Sequence, residues 1–270
     1  MYTTLIDTHT LAENLDNPDW VIIDCRFSLA DPAIGRKWFT ESHIKRAIYA
    51  HLDEHLSSAP VTDNGRHPLP SPERLRETFG RFGITPQTQV VIYDQIGAVY
   101  AGRLWWMLHY MGHEAVAVLD GGWPAWEAGE GKVESGEGKV PEVVQFIGEP
   151  RRELLVLIDE VPAQKLLIDS RGAARYRGEI EPLDAVAGHI PNAINYFFQK
   201  NWAEDKRLLP PEQLAAAFSK LLGDTAPQDA TFYCGSGVSA CVNLLAMRHA
   251  GLPMGKLYVG SWSEWSRENN

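Results

Sequence analysis

The side chain best placed for chemistry is Cys234, in the run Thr231-Phe232-Tyr233-Cys234-Gly235-Ser236-Gly237-Val238-Ser239-Ala240. The run reads as a strand, a tight loop and the start of a helix. Gly235 and Gly237 let the backbone curl through conformations that a side chain blocks. Such a loop can turn several N–H groups inward, and the helix that follows adds the positive end of its dipole. That setting stabilises a thiolate and lowers a cysteine pKa. It suits a bound anion or a persulfide equally well. The plain alternative is an inert, buried cysteine beside an ordinary glycine turn. Of the other two cysteines, Cys25 follows an apolar run and is expected in the core. Cys241 lies in the helix after the loop and is expected to be packed. Three cysteines cannot all pair, and none shows C-x-x-C spacing. Neither a disulfide frame nor a metal site is expected.

The elements that must position Cys234 are written twice. Val21-Ile22-Ile23-Asp24-Cys25-Arg26 matches Leu166-Leu167-Ile168-Asp169-Ser170-Arg171, and Ser42-His43-Ile44 matches Gly188-His189-Ile190. Val90-Val91-Ile92-Tyr93-Asp94 matches Ala230-Thr231-Phe232-Tyr233-Cys234. Gly121-Gly122-Trp123-Pro124-Ala125-Trp126 matches Gly260-Ser261-Trp262-Ser263-Glu264-Trp265. The order is kept, which points to duplication of one domain. Asp94 stands where the second copy has Cys234, so one copy keeps a nucleophile and the other does not. His43 and His189, and the pairs Asp24 with Arg26 and Asp169 with Arg171, recur in both copies and are expected to be structural.

Short apolar runs, buried-strand length, alternate with helical spacing at Leu75–Phe82 and Leu214–Leu222. Pro72 and Pro211 fall where those helices begin. The pattern predicts an α/β fold with mostly parallel sheets. The glycine- and charge-rich stretch around residues 127–139 marks a linker. The expected domains are therefore 1–131 and 152–270, joined by a linker at 132–151.

Of 270 residues, 44% are hydrophobic and 22% charged, enough apolar surface for a real core. A formal net charge of -10 with no Lys/Arg run argues against nucleic-acid and anionic-membrane partners. The N-terminus lacks the basic-then-apolar order of a signal peptide, and no apolar run reaches membrane-spanning length. A cytoplasmic location is expected.

The loop Cys234–Ala240, with Asp169-Ser170-Arg171, Arg175-Tyr176, Gly188-His189-Ile190-Pro191 and Gly260–Trp265, resembles the rhodanese superfamily of sulfurtransferases. Its closest likeness is to the mercaptopyruvate branch. The resemblance implies two tandem rhodanese-like domains, each a mostly parallel sheet flanked by helices, the second catalytic. It implies a ping-pong reaction without a cofactor. Cys234 takes sulfur from a small donor and yields it to a small thiol, a thioredoxin-like protein or cyanide. Gly235, Gly237, Val238 and Ser239 would cradle the substrate, and Arg175 would grip its anionic group. His67, in Gly65-Arg66-His67-Pro68, matches a histidine that this branch brings from the first domain. Asp53 and Ser236 match its partners in an Asp–His–Ser relay.

A phosphatase with a loop thiolate would need an arginine six positions after the cysteine, and Ala240 stands there. A persulfide carrier serving a partner protein is a second alternative. As to donor, thiosulfate-preferring loops carry basic residues after the cysteine, whereas this loop has Gly235 and Ser236. That favours 3-mercaptopyruvate over thiosulfate. Leu183 argues the other way, because it occupies the approximate place of a second carboxylate-binding arginine.

Overall fold

The apolar runs ending at Tyr93 and Tyr233 form the middle strands of two five-stranded parallel sheets. The computed structural model describes residues 1–60 and 64–269. In the first sheet the strand order is Leu5–Ile6, Val116–Leu119, Gln89–Tyr93, Trp20–Asp24 and Ile48–Tyr49. Read from the corresponding edge, the second runs Leu155–Val156, Lys256–Tyr258, Ala230–Tyr233, Leu166–Asp169 and Ile194–Asn195. All of these pairings are parallel. The repeat seen in the sequence is thus a repeat of topology, strand for strand. Both middle strands are buried throughout, as parallel strands covered on two faces must be.

Each middle strand runs into a loop and then a helix, Val99–Tyr110 in the first copy and Ala240–His249 in the second. Every residue of the former is buried, and so are Ala240–Met247 of the latter. Helices buried on every face lie inside a core rather than on its surface. The outer helices Pro72–Arg81 and Pro211–Leu222 begin at the expected prolines, whose missing N–H would have no partner in a first turn anyway.

One clasp is built identically in both copies. Asp24 and Asp169 are wholly buried at the ends of their strands. Each accepts from the backbone N and the guanidinium of the arginine two residues on, with closest ion-pair distances of 2.7 and 2.6 Å. Tyr93 and Tyr233 accept from the amides of Ile44 and Ile190. The two guanidiniums lie over Trp123 and Trp262, at 4.2 and 5.0 Å from the ring centroids. His43 and His189 each bond a backbone carbonyl through Nδ1 at 2.7 Å and stack on an aromatic ring at 4.0 Å. These repeated residues are structural, as their recurrence implies.

The chain divides into two units whose boundaries do not follow the linear order. The first comprises Met1–Ser57, Pro70–Arg151 and Glu204–Arg207. The second comprises Ser58–Leu69, Arg152–Ala203 and Leu208–Asn270. Each unit therefore takes a short segment from the other half of the sequence. The stretch read as a linker is also committed to the first unit. Val133–Glu134 pairs antiparallel with His43–Ile44, and the amides of Val144 and Arg151 donate to the carbonyls of Gly80 and Tyr110. These bonds tie parts of the stretch to the first unit. Among the described residues, no helix is long and apolar enough to cross a membrane.

Candidate active site

Cys234 ends the middle strand of the second unit and is 2% exposed. Its own amide donates to Ser261 Oγ, and its carbonyl accepts from Trp262 N, both at 3.1 Å. The Gly235 carbonyl accepts from Ser263 N at 2.8 Å. The helix at Ser261–Glu268 therefore fixes the start of the loop. Gly237 makes the turn at φ +72°, and a Cβ there would stand 2.3 Å from the Val259 carbonyl oxygen. No other residue fits that position without moving backbone.

The turned loop points its N–H groups at sulfur. Burial opposes a charged thiolate, but the Ser239 hydroxyl and the amides of Ser236, Ala240 and Val238 outweigh it. The Cys234 pKa lies below that of an ordinary thiol. The helix that follows has no side-chain cap. Of the residues expected to form the cradle, Gly237 turns the loop, and Val238 and Ser239 stabilise the thiolate. Cys241, wholly buried behind the loop, donates to the Gly237 carbonyl, and Cys25 is buried in the first unit. None of the three is in a disulfide.

The first unit holds an internal comparison. Asp94, at the matching position and 1% exposed, accepts hydrogen bonds from the amides of Ile96, Ala98, Tyr100 and Ala101 at 2.8–3.1 Å. Burial raises its carboxyl pKa against the pull of those four donors. The carbonyl of Asp94 accepts from Trp123 N, as that of Cys234 does from Trp262 N. The same strand–loop–helix thus closes around a carboxylate in one copy and a sulfur in the other.

His67 belongs to the second unit, on the segment Ser58–Leu69. Its Nδ1 lies 2.7 Å from Ser236 Oγ, and both side chains are buried. The pair joins positions 169 residues apart. Arg175, on the short helix Ala173–Tyr176, is bound by Glu181 Oε1 at 2.6 Å and lies 3.4 Å from Asp184 Oδ2. Burial works against the Glu181 carboxylate, yet Arg175 and the amides of Leu183 and Asp184 hold its pKa below the usual range. Arg175 approaches the loop: a Cβ on Gly235 would meet its Nη2 at 3.5 Å. Asp53 lies in the first unit, on the helix Leu52–His55, where its amide donates to His51 Nδ1. Burial raises its carboxyl pKa, with His51 opposing.

Sequence reading does not single out Glu181, Asp184 or Arg66, although all three adjoin motifs that it does use. Arg66 sits beside His67, and its Nη2 would lie 2.8 Å from a Cβ on Gly235. A charged residue directly before a candidate histidine and after a glycine is the only local signal. The carboxylates sit near Arg175 in sequence, but nothing in that spacing shows which side chains they hold.

The description "Rhodanese-like domain" matches residues 7–129 and 151–268. The chain is 43% identical over 269 residues to a "Probable 3-mercaptopyruvate sulfurtransferase" of Pseudomonas aeruginosa, covering 97% of this chain and 94% of that protein. It is 33% identical over 282 residues to the thiosulfate sulfurtransferase of Rattus norvegicus, covering 99% and 93%. Among solved structures, it superposes on 3-mercaptopyruvate sulfurtransferase from Leishmania major with a TM-score of 0.89 at 30% identity, covering 99% of this chain and 75% of that one.

A cradle built for an anion makes a prediction in the first unit. Asp94→Ala leaves four buried amides without their acceptor and should destabilise the protein by more than about 3 kcal/mol in urea unfolding. Asp94→Asn keeps a carbonyl oxygen and should cost less. A loss under about 1 kcal/mol for Asp94→Ala would show that the loop closes without an acceptor.

Proposed function

The chain belongs to the rhodanese-like family, and on that premise we propose that it is a sulfurtransferase carrying sulfur as a persulfide on Cys234. The observation that supports this most is the ring of amides and hydroxyl around a buried sulfur at the end of the second middle strand. The same groups that stabilise a thiolate stabilise the outer sulfur of a persulfide, which is also an anion.

With 3-mercaptopyruvate as donor, the Cys234 thiolate attacks the donor's sulfur. The new S–S bond forms as the C–S bond breaks, and the electron pair leaves on carbon as the enolate of pyruvate. The donor's thiol proton ends on that carbon, giving pyruvate and an anionic Cys234 persulfide. Ser236 and His67, in contact at 2.7 Å, form the path that can move this proton. For Asp53, a part in the relay rests on the resemblance alone. An acceptor thiol or cyanide then takes the outer sulfur, and the thiolate returns. Arg175 holds the donor's carboxylate. The acceptor is a small thiol, a thioredoxin-like protein or cyanide. Three free cysteines suit a reducing compartment, and we place the protein in the cytoplasm.

Charge supports the choice of donor. From Gly235 to Ala240 the loop has no basic side chain. Backbone dipoles and a hydroxyl make a weaker field than a lysine or arginine would. A monoanionic carboxylate meets less repulsion from the thiolate than dianionic thiosulfate does. We expect a higher kcat/KM for 3-mercaptopyruvate than for thiosulfate on the same preparation. Faster thiosulfate turnover would reverse the donor while leaving sulfur transfer intact.

The persulfide is tested by intact mass after incubation with donor. The mass should rise by one sulfur atom, and Cys234→Ser should abolish both the adduct and turnover. Loss of activity in Cys25→Ser or Cys241→Ser, with Cys234→Ser still active, would contradict the assignment.

A further inference from the structure

Ser261 opens the helix Ser261–Glu268 in a conformation that resists a side chain. Its φ is +55°, in the left-handed region that glycine favours and other residues rarely adopt. It is wholly buried. Its hydroxyl is used twice: Oγ donates to the Tyr258 carbonyl at 3.0 Å and accepts from the Cys234 amide at 3.1 Å. The donated proton fixes which way the oxygen's lone pairs face. Backbone strain of this kind persists where the surroundings over-determine it, and it gathers at working sites. Here the strained residue binds the backbone of the nucleophile itself.

The first copy supplies the control. Gly122 stands at the matching position, at φ +57°, and has no hydroxyl. A Cβ there would lie 2.2 Å from the Asp94 carbonyl oxygen, so that unit has no room for a side chain. The second unit makes room by a different turn: Gly121 is at φ +79°, whereas its counterpart Gly260 is at φ -66°. The bond on the carbonyl side is common to both copies, from Trp123 N to Asp94 and from Trp262 N to Cys234. The serine hydroxyl on the amide side belongs to the copy with the cysteine. Asp94 is anchored through its side chain, whose carboxylate accepts from four amides. A sulfur whose negative charge passes to an added atom in each cycle is a poorer anchor for its own backbone.

We propose that Ser261 is a positioning residue for the nucleophile: its hydroxyl holds the Cys234 amide and so keeps the sulfur within its ring of amides through loading and discharge. This deepens the sulfurtransferase reading above and rests on it. A buried N–H that loses its acceptor turns toward another or admits water. Either shift moves the end of the strand. The sulfur moves with it, because only one rotatable bond separates Sγ from the backbone. Transfer between two sulfurs is sensitive to such a displacement. A glycine at φ +55° would be free of the strain that serine carries, and the second copy bears that strain where it holds the nucleophile.

The test separates reactivity from stability with two substitutions. Ser261→Ala removes the hydroxyl and keeps the strain. Ser261→Gly removes both and installs the residue of the first copy. In urea unfolding the glycine variant should be the more stable of the two, because glycine relieves the positive φ. Reactivity should not follow that order. In both variants kcat for transfer from 3-mercaptopyruvate to dithiothreitol, at saturating donor, should fall about 3- to 10-fold, the loss expected for one neutral hydrogen bond. The midpoint for alkylation of Cys234 by iodoacetamide should rise by about 0.5 to 1 pH unit. A merely structural Ser261 predicts a glycine variant that reacts like wild type. Wild-type kcat within twofold in Ser261→Gly, or an unmoved alkylation midpoint, would overturn the assignment, and this variant decides alone if Ser261→Ala does not fold. A wild-type protein that takes sulfur from no donor would sink the sulfurtransferase reading, while the alkylation midpoint of Ser261→Gly would still show whether Ser261 positions Cys234.

Discussion

Amides that converge on the end of a middle strand need an acceptor, and much of each unit is arranged around meeting that need. In the first unit the acceptor is the Asp94 carboxylate, with four N–H donors. In the second it is the Cys234 sulfur. A buried N–H without a partner costs about as much as a lost hydrogen bond. The loop therefore closes only around something that carries negative charge or lone pairs. Gly97 and Gly237, both at positive φ, make that closure possible in the two copies. A buried Asp–Arg clasp stands at the end of the neighbouring strand in each unit.

A thiolate stabilised by dipoles rather than by loop cations has a chemical consequence. Fixed positive charge near Cys234 comes from outside the loop, on Arg66 and Arg175, and each is partly balanced by a buried carboxylate. The amides stabilise the sulfur from within the loop, and the guanidiniums lie beside Gly235. The His67–Ser236 pair reaches the loop from the segment that carries Arg66. The second unit thus takes both His67 and Arg66 from the segment Ser58–Leu69.

Features that depend on local spacing were legible in the sequence. Strand, loop and helix around Cys234, the ordered duplication, and the first-turn prolines at 72 and 211 all follow from neighbours a few residues apart. The recurrence of Asp24 with Arg26 and of Asp169 with Arg171 marked them as structural, and they form the buried clasp. What escaped depends on contacts between distant positions. Arg66 meets Asp184 across 118 residues and Ser263 across 197. No periodicity encodes such pairings. The stretch at 132–151 has a linker's composition, and parts of its backbone are bonded along the first unit. Asp94 was visible as the residue standing where the second copy has Cys234. Its role as a four-amide acceptor needed the geometry.

The charge state of Cys234 tests the cradle most directly. It can be followed by the pH dependence of alkylation with iodoacetamide, with the modified residue identified by peptide mass. Amides that hold a thiolate predict a midpoint below the about 8.5 of an unperturbed thiol, with Cys234 already reactive at pH values where ordinary cysteines are protonated. A midpoint at or above that value would mean that burial prevails over the loop, and Cys234 would be an inert core residue rather than a nucleophile.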